Sequence, residues 1–111
     1  MLEHVELGML LSRYGALLTE RQRTLLSLSV DEDLSLSEIA EQAGISRQAV
    51  LDAIKRAESQ LRAFEDALGM ERQVRILRKN AEALIALPAV KSDKEALTLA
   101  GEILEIVNDG I

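Results

Sequence analysis

The stretch Leu36–Lys55, LSEIAEQAGISRQAVLDAIK, decides the fold. Two short helices that cross closely need a small residue at the crossing, a glycine in the turn, and apolar side chains facing inward on both sides. Ala40 is the small residue, next to Ile39. Ala43 and Gly44 end the first helix, and Ile45 follows, pointing inward. Val50, Ala53 and Ile54 hold the second helix against the first. Ser35 with Glu38 three residues on is a capping box that starts the first helix, and Ser46 caps the second. The segment reads as a helix-turn-helix.

Outward from this motif the same signals continue. Leu7, Leu10, Leu11, Tyr14, Leu17 and Leu18 recur at helical spacing. Thr19 and Gln22 form a capping box for a helix from about Glu20, carrying Leu25, Leu26 and Leu28 and ending near Asp31, Glu32 and Asp33. On the other side, Val50, Ile54, Ala57, Leu61, Phe64 and Leu68 form a heptad stripe on a long helix. Gly69 breaks its phase, and the next stripe is Val74, Leu77, Ala81 and Leu84. Pro88 stops that helix near Leu87. Ser92 with Glu95 reads as a third capping box, for a last helix to about Val107. No strand signal appears.

The expected fold is all-α. Residues 1–68 make a helix-turn-helix domain with a long following helix. Residues 69–111 make a C-terminal helical pair that packs on it or mediates dimerisation. The distal stripe Leu61, Phe64 and Leu68 lies beyond the helix-turn-helix core and needs a cover. The C-terminal helices or a second chain can supply it, and a homodimer is the expectation.

Composition narrows the function. With 111 residues and 48% hydrophobic content, the chain is one domain's worth and not disordered as a whole. No cysteine is present and His4 is the lone histidine, so no thiolate or histidine metal site is expected. Glu3, Glu6, Asp31, Glu32 and Asp33 lack the glycine and spacing of a calcium loop. No nucleophile–base arrangement or phosphate-cradling loop appears, so neither catalysis, a cofactor nor a small-molecule ligand is expected. There is no run of about 18 apolar residues and no signal-peptide pattern, which points to a cytoplasmic protein without a membrane segment. Tyr14 and Phe64 are the only aromatic residues, too few for base-stacking platforms.

The net charge of −6 repels nucleic acid as a whole, but it is unevenly spread. Residues 1–46 hold three basic and eight acidic side chains, and residues 80–111 hold two and six. Residues 47–79 hold eight basic against five acidic, a basic island of net +3. A phosphate-binding face belongs there. On the second helix of the motif, the first-turn and outward positions are Ser46, Arg47, Gln48, Leu51, Asp52 and Lys55. Arg47 and Gln48 are suited to base edges, Ser46 and Lys55 to phosphates. Asp52 sits within the same face and opposes phosphate. A second basic run, Arg72, Arg75, Arg78 and Lys79, suits either a solvated helix face or a phosphate strip for structured RNA.

Residues Leu17 to Leu68 resemble the YlxM family of small bacterial helix-turn-helix proteins, itself similar to region four of sigma factors. The phrases LLTERQRTLLSL, LSLSEIAEQAGISRQAVLDAIKRAESQL and FEDAL carry the resemblance, and SRQAV-x-D-x-IKR-x-E is its most specific part. It carries over Arg47, Gln48, Asp52, Lys55 and Arg56 as a shared polar face. The family's genes lie beside those of the signal recognition particle GTPase and its receptor. The resemblance therefore implies a nucleic-acid-binding accessory or regulatory protein of that pathway, with duplex DNA, structured RNA or the GTPase as partners. The rival readings are a protein–protein adaptor for the GTPase and a promoter-binding transcriptional regulator. From about Glu71 onward no motif matches.

Overall fold

The computed structural model describes residues 4–109. Its elements are α1 (His4–Tyr14), a 3₁₀ turn (Gly15–Leu17), α2 (Glu20–Val30), α3 (Leu36–Ala43), α4 (Arg47–Leu68), α5 (Met70–Ala86), α6 (Pro88–Lys91) and α7 (Lys94–Asn108). No strand occurs among the described residues. The chain divides into two compact units, Met1–Gly69 and Met70–Ile111.

In the first unit α1, α2 and α3 all pack on α4. Their shared core is made by Leu10 and Tyr14 of α1, Leu26 of α2, Ile39 of α3, and Val50 and Leu61 of α4, each at most a few per cent exposed. Both expected capping boxes are present. Thr19 Oγ1 accepts from the Gln22 amide at 3.2 Å, and Ser35 Oγ accepts from the Glu38 amide at 3.1 Å. The side chains of Gln22 and Glu38 accept in return from the Thr19 and Ser35 amides. These reciprocal bonds satisfy helix-end donors that otherwise have no partner.

The heptad stripe of α4 is covered further along than the sequence suggested. Val50, Ile54, Ala57 and Leu61 are buried. The Tyr14 ring packs on Phe64 with centroids 6.0 Å apart, and the Tyr14 hydroxyl donates to Glu65 Oε1 at 2.6 Å. So α1 reaches the distal stripe that was expected to wait for the C-terminal helices or a second chain. Leu68 stays exposed. Leu17, read as part of the first apolar stripe, is exposed too, because the chain leaves α1 for the 3₁₀ turn before reaching it.

Gly69 ends α4 in the left-handed conformation, φ 62° and ψ 20°, and its amide donates to the Glu65 carbonyl at 2.7 Å. The phase break in the sequence is thus a real helix end.

The second unit is a helical hairpin. Helices α5 and α7 pack along each other, joined through α6. Val74 and Ala81 of α5 and Ala100 and Val107 of α7 are buried. Arg78 Nε donates to Asn108 Oδ1 at 3.0 Å across the pair. Helix α5 ends at Ala86, within one residue of the expected end near Leu87, and Pro88 stands at the first position of α6, where its missing N–H and fixed φ suit a helix start. One expectation needs correction. The cap of α7 is Asp93, whose Oδ1 accepts from the Ala96 amide at 3.1 Å. Ser92 instead donates its hydroxyl to the Ala89 carbonyl at 3.3 Å, so the Ser92–Glu95 box does not form. Either residue type can cap a helix. The geometry of the α6 turn selects the second.

Candidate nucleic-acid interface

The turn of the motif is built from local chemistry. Gly44 is left-handed, φ 71° and ψ 32°, and its amide donates to the Ala40 carbonyl at 2.9 Å. The Ile45 amide donates to the same carbonyl at 3.1 Å. This closes α3 and drops Ile45 partly into the core. Ser46 then caps α4, its Oγ accepting from the Ala49 amide at 3.0 Å. The hydroxyl proton of Ser46 remains available to donate, as a phosphate contact requires.

On α4 the outward residues fall into two columns by the four-residue repeat. One is Arg47, Leu51 and Lys55. The other is Gln48, Asp52 and Arg56. All are exposed except Leu51, which is half-buried. Gln48 Nε2 donates to Asp52 Oδ1 at 3.0 Å, so the amide and the carboxylate are held together on the face. Leu36, the first residue of α3, joins Arg47, Gln48 and Leu51 around a shallow depression of about 370 Å³. The seven candidate residues thus form one continuous surface on the first three turns of α4, with α3 beside its start. Leu36 is the member that sequence reasoning missed. It lies on α3, outside the run of α4 positions, and only the crossing of the two helices brings it to the rim.

One ionisable group near the motif is shifted. Glu38 is held below the ordinary glutamate range by the Ser35 backbone amide and, next, by the Ser35 hydroxyl, outweighing a small effect of burial. This carboxylate belongs to the α3 cap and not to the outward face of α4.

The second basic run lies on α5, in the other unit. Arg72, Arg75 and Lys79 are exposed. Arg78 is half-buried and bonded to Asn108, so it serves the hairpin. Glu3 of the suggested acidic cluster lies outside the described residues. Among the described residues no group of three or more His, Asp or Glu side chains could hold a metal ion. His4 Nε2 donates to the Val30 carbonyl at 2.9 Å, tying α1 to the end of α2. No described helix is long and apolar enough to cross a membrane.

Comparison with known proteins agrees with the motif. The family model for YlxM / p13-like helix-turn-helix proteins matches residues 1–98. A UPF0122 protein of Clostridium kluyveri is 43% identical over 98 residues, covering 87% of this chain and 88% of its own length. A UPF0122 protein of Clostridium acetobutylicum is 38% identical over 110 residues, 96% of this chain and 95% of its own. One from Desulforamulus reducens is 50% identical over 70 residues, 63% of this chain and 60% of its own. The matched length runs past Gly69 into the hairpin, where no motif was recognisable in the sequence. The chain therefore belongs to the YlxM / p13-like family of helix-turn-helix proteins.

Proposed function

We propose that this protein binds duplex nucleic acid through the first three turns of α4 and acts as a regulatory or accessory factor of the signal recognition particle pathway in the cytoplasm. The observation that carries the binding part is the two-column face on the second helix of the motif. Arg47, Gln48 and Lys55 stand exposed there on a rigid, capped helix. A helix of about 10–12 Å diameter enters the ~12 Å major groove of B-form DNA. The A-form major groove is too narrow, so on RNA the same helix needs a bulge or loop. The pathway comes with the family resemblance alone.

Within this reading Arg47 meets a base edge and Lys55 a phosphate, with Ser46 at the helix start contacting the backbone. Asp52, bonded to Gln48, repels phosphate and suits a cytosine amino group. So few cations neutralise few phosphates. The expected affinity is modest, with a log–log salt slope of about −2 to −4.

The test is fluorescence anisotropy of B-form DNA and of the particle RNA with the intact protein across a salt series. Arg47→Ala weakens binding by roughly 1–3 kcal/mol if Arg47 reads a base. Arg75→Ala weakens it uniformly across sequences only if α5 adds a phosphate contact of its own. If Arg47→Ala leaves nucleic-acid binding intact but disturbs association with the targeting GTPase, the adaptor reading replaces this one. If Arg47→Ala and Lys55→Ala change neither association, the motif is a scaffold.

A further inference from the structure

Two leucines and two hydrogen-bonding side chains line the depression where α3 meets the start of α4. Leu36 and Leu51 are half-buried, and Arg47 and Gln48 are exposed. The helix crossing itself is closed by the buried Ile39, Ala40, Val50 and Ile54, so the open halves of the two leucines are surplus to it. A phosphate has no use for them. A base edge does, because the C5 methyl of thymine is an apolar group displayed in the major groove.

Gln48 supplies the other half of the match. Its Nε2 donates to Asp52 Oδ1 at 3.0 Å. A carboxylate only accepts, so Asp52 holds the nitrogen end of the amide and never the oxygen end. A free glutamine turns either end to a ligand, whereas this one has its nitrogen fixed. What remains for a ligand is one N–H and the carbonyl Oε1, a donor and an acceptor. Adenine offers the complement in the major groove, with N7 accepting and N6 donating. Guanine offers two acceptors, N7 and O6, and sets one of them against Oε1. Asp52 is therefore a positioning residue for Gln48, and its Oδ2 stays open.

The spacing suits one short sequence element. Gln48 and Leu51 are three residues apart on α4, about 5–6 Å between Cβ atoms. Successive bases along a strand are ~3.4 Å apart. The adenine and the thymine thus belong to one base pair or to neighbouring pairs.

We infer that this site reads an A·T element of B-form DNA, with Gln48 on the adenine edge and Leu36 and Leu51 against a thymine methyl. The inference rests on the nucleic-acid reading above and deepens it by selecting DNA over RNA. Uracil lacks the methyl group, and the A-form major groove does not admit side chains.

The experiment uses the full-length protein in two stages. Selection from a random duplex DNA library should return an adenine position with a thymine in the same or the next pair. Fluorescence anisotropy on the selected duplex then tests single atoms. Replacing the adenine by 7-deazaadenine removes N7 and should raise Kd about 3–10-fold, the worth of one hydrogen bond. Replacing the thymine by deoxyuridine removes only the methyl and should raise Kd about fourfold, as one buried methyl group contributes. Gln48→Ala should abolish the first effect and keep the second, and Leu51→Ala the reverse, with far-UV circular dichroism as the control for folding. The modified bases decide the question on the wild type even where a variant fails to fold. Asp52→Asn separates positioning from charge. It should tighten binding to every duplex, because one repulsion from the phosphates is gone, and narrow the preference for adenine over guanine, because asparagine pairs with either end of the Gln48 amide. Duplex binding without an adenine and thymine preference, or modified bases that bind as well as natural ones, overturns this inference and leaves the nucleic-acid reading standing. So does structured RNA bound more tightly than the selected duplex. Failure to retain any duplex DNA or RNA overturns both.

Discussion

Gly44→Ala isolates the cost of the turn on which the helix-turn-helix depends. A Cβ at Gly44 would meet no atom within 4 Å, so the substitution creates no clash. What it meets is a backbone φ of +71°. A left-handed L-residue costs roughly 1–2 kcal/mol, and the stiffer unfolded chain returns about 0.4–1. The expected net loss is about 1 kcal/mol. Gly101 is the control. A Cβ there also meets nothing within 4 Å, but the residue lies inside α7. Gly101→Ala should therefore stabilise by about 0.5–1 kcal/mol, the usual difference between these residues in a helix. Equal space thus gives opposite signs. Urea unfolding of the full chain reads both as midpoint shifts of roughly 0.3–1 M at unchanged slope. Hydrogen exchange of α3–α4 amides for the first, and of α7 amides for the second, places each effect. Gly44→Asn should recover part of the loss, since asparagine tolerates the left-handed region. A neutral Gly44→Ala, or two substitutions that shift stability in the same direction, would refute the assignment of the cost to φ.

Three further outcomes follow from single contacts. Tyr14→Phe keeps the ring against Phe64 but removes the donor to Glu65, and should cost about 1 kcal/mol in urea unfolding, below the full value of a charged hydrogen bond because the site is only part-buried. Asp93→Ala should destabilise α7 by about 1 kcal/mol while Ser92→Ala does little, checked by exchange of the α7 first-turn amides. The folded value of Glu38 is lowered, so its contribution is present above the ordinary glutamate range and disappears as the pH falls through the lowered value. Exchange at the start of α3 should rise in acid for that reason, and Glu38→Gln should flatten the rise while leaving the cap in place.

Much of the molecule was determined by the sequence alone, wherever a local rule had one solution. Thr19 with Gln22, and Ser35 with Glu38, start helices because the reciprocal bonds span only three residues. Gly44 and Gly69 end helices because no other residue adopts a left-handed backbone as cheaply. The outward face of α4 was legible because four-residue spacing alone sets which side chains share a column. Tertiary structure decided everything that depended on a choice between local equivalents or on distance along the chain. Ser92 and Asp93 are both competent caps, and the α6 turn selects Asp93. Phe64 is covered by Tyr14, fifty residues earlier in the chain, a contact no periodicity reveals. The stripe Val74, Leu77, Ala81 and Leu84 is continuous in sequence, yet only Val74 and Ala81 enter the hairpin seam. Two helices bury just the arc that faces the partner, so Leu77 and Leu84 are left at its edge, and what covers an edge is a property of the assembled molecule.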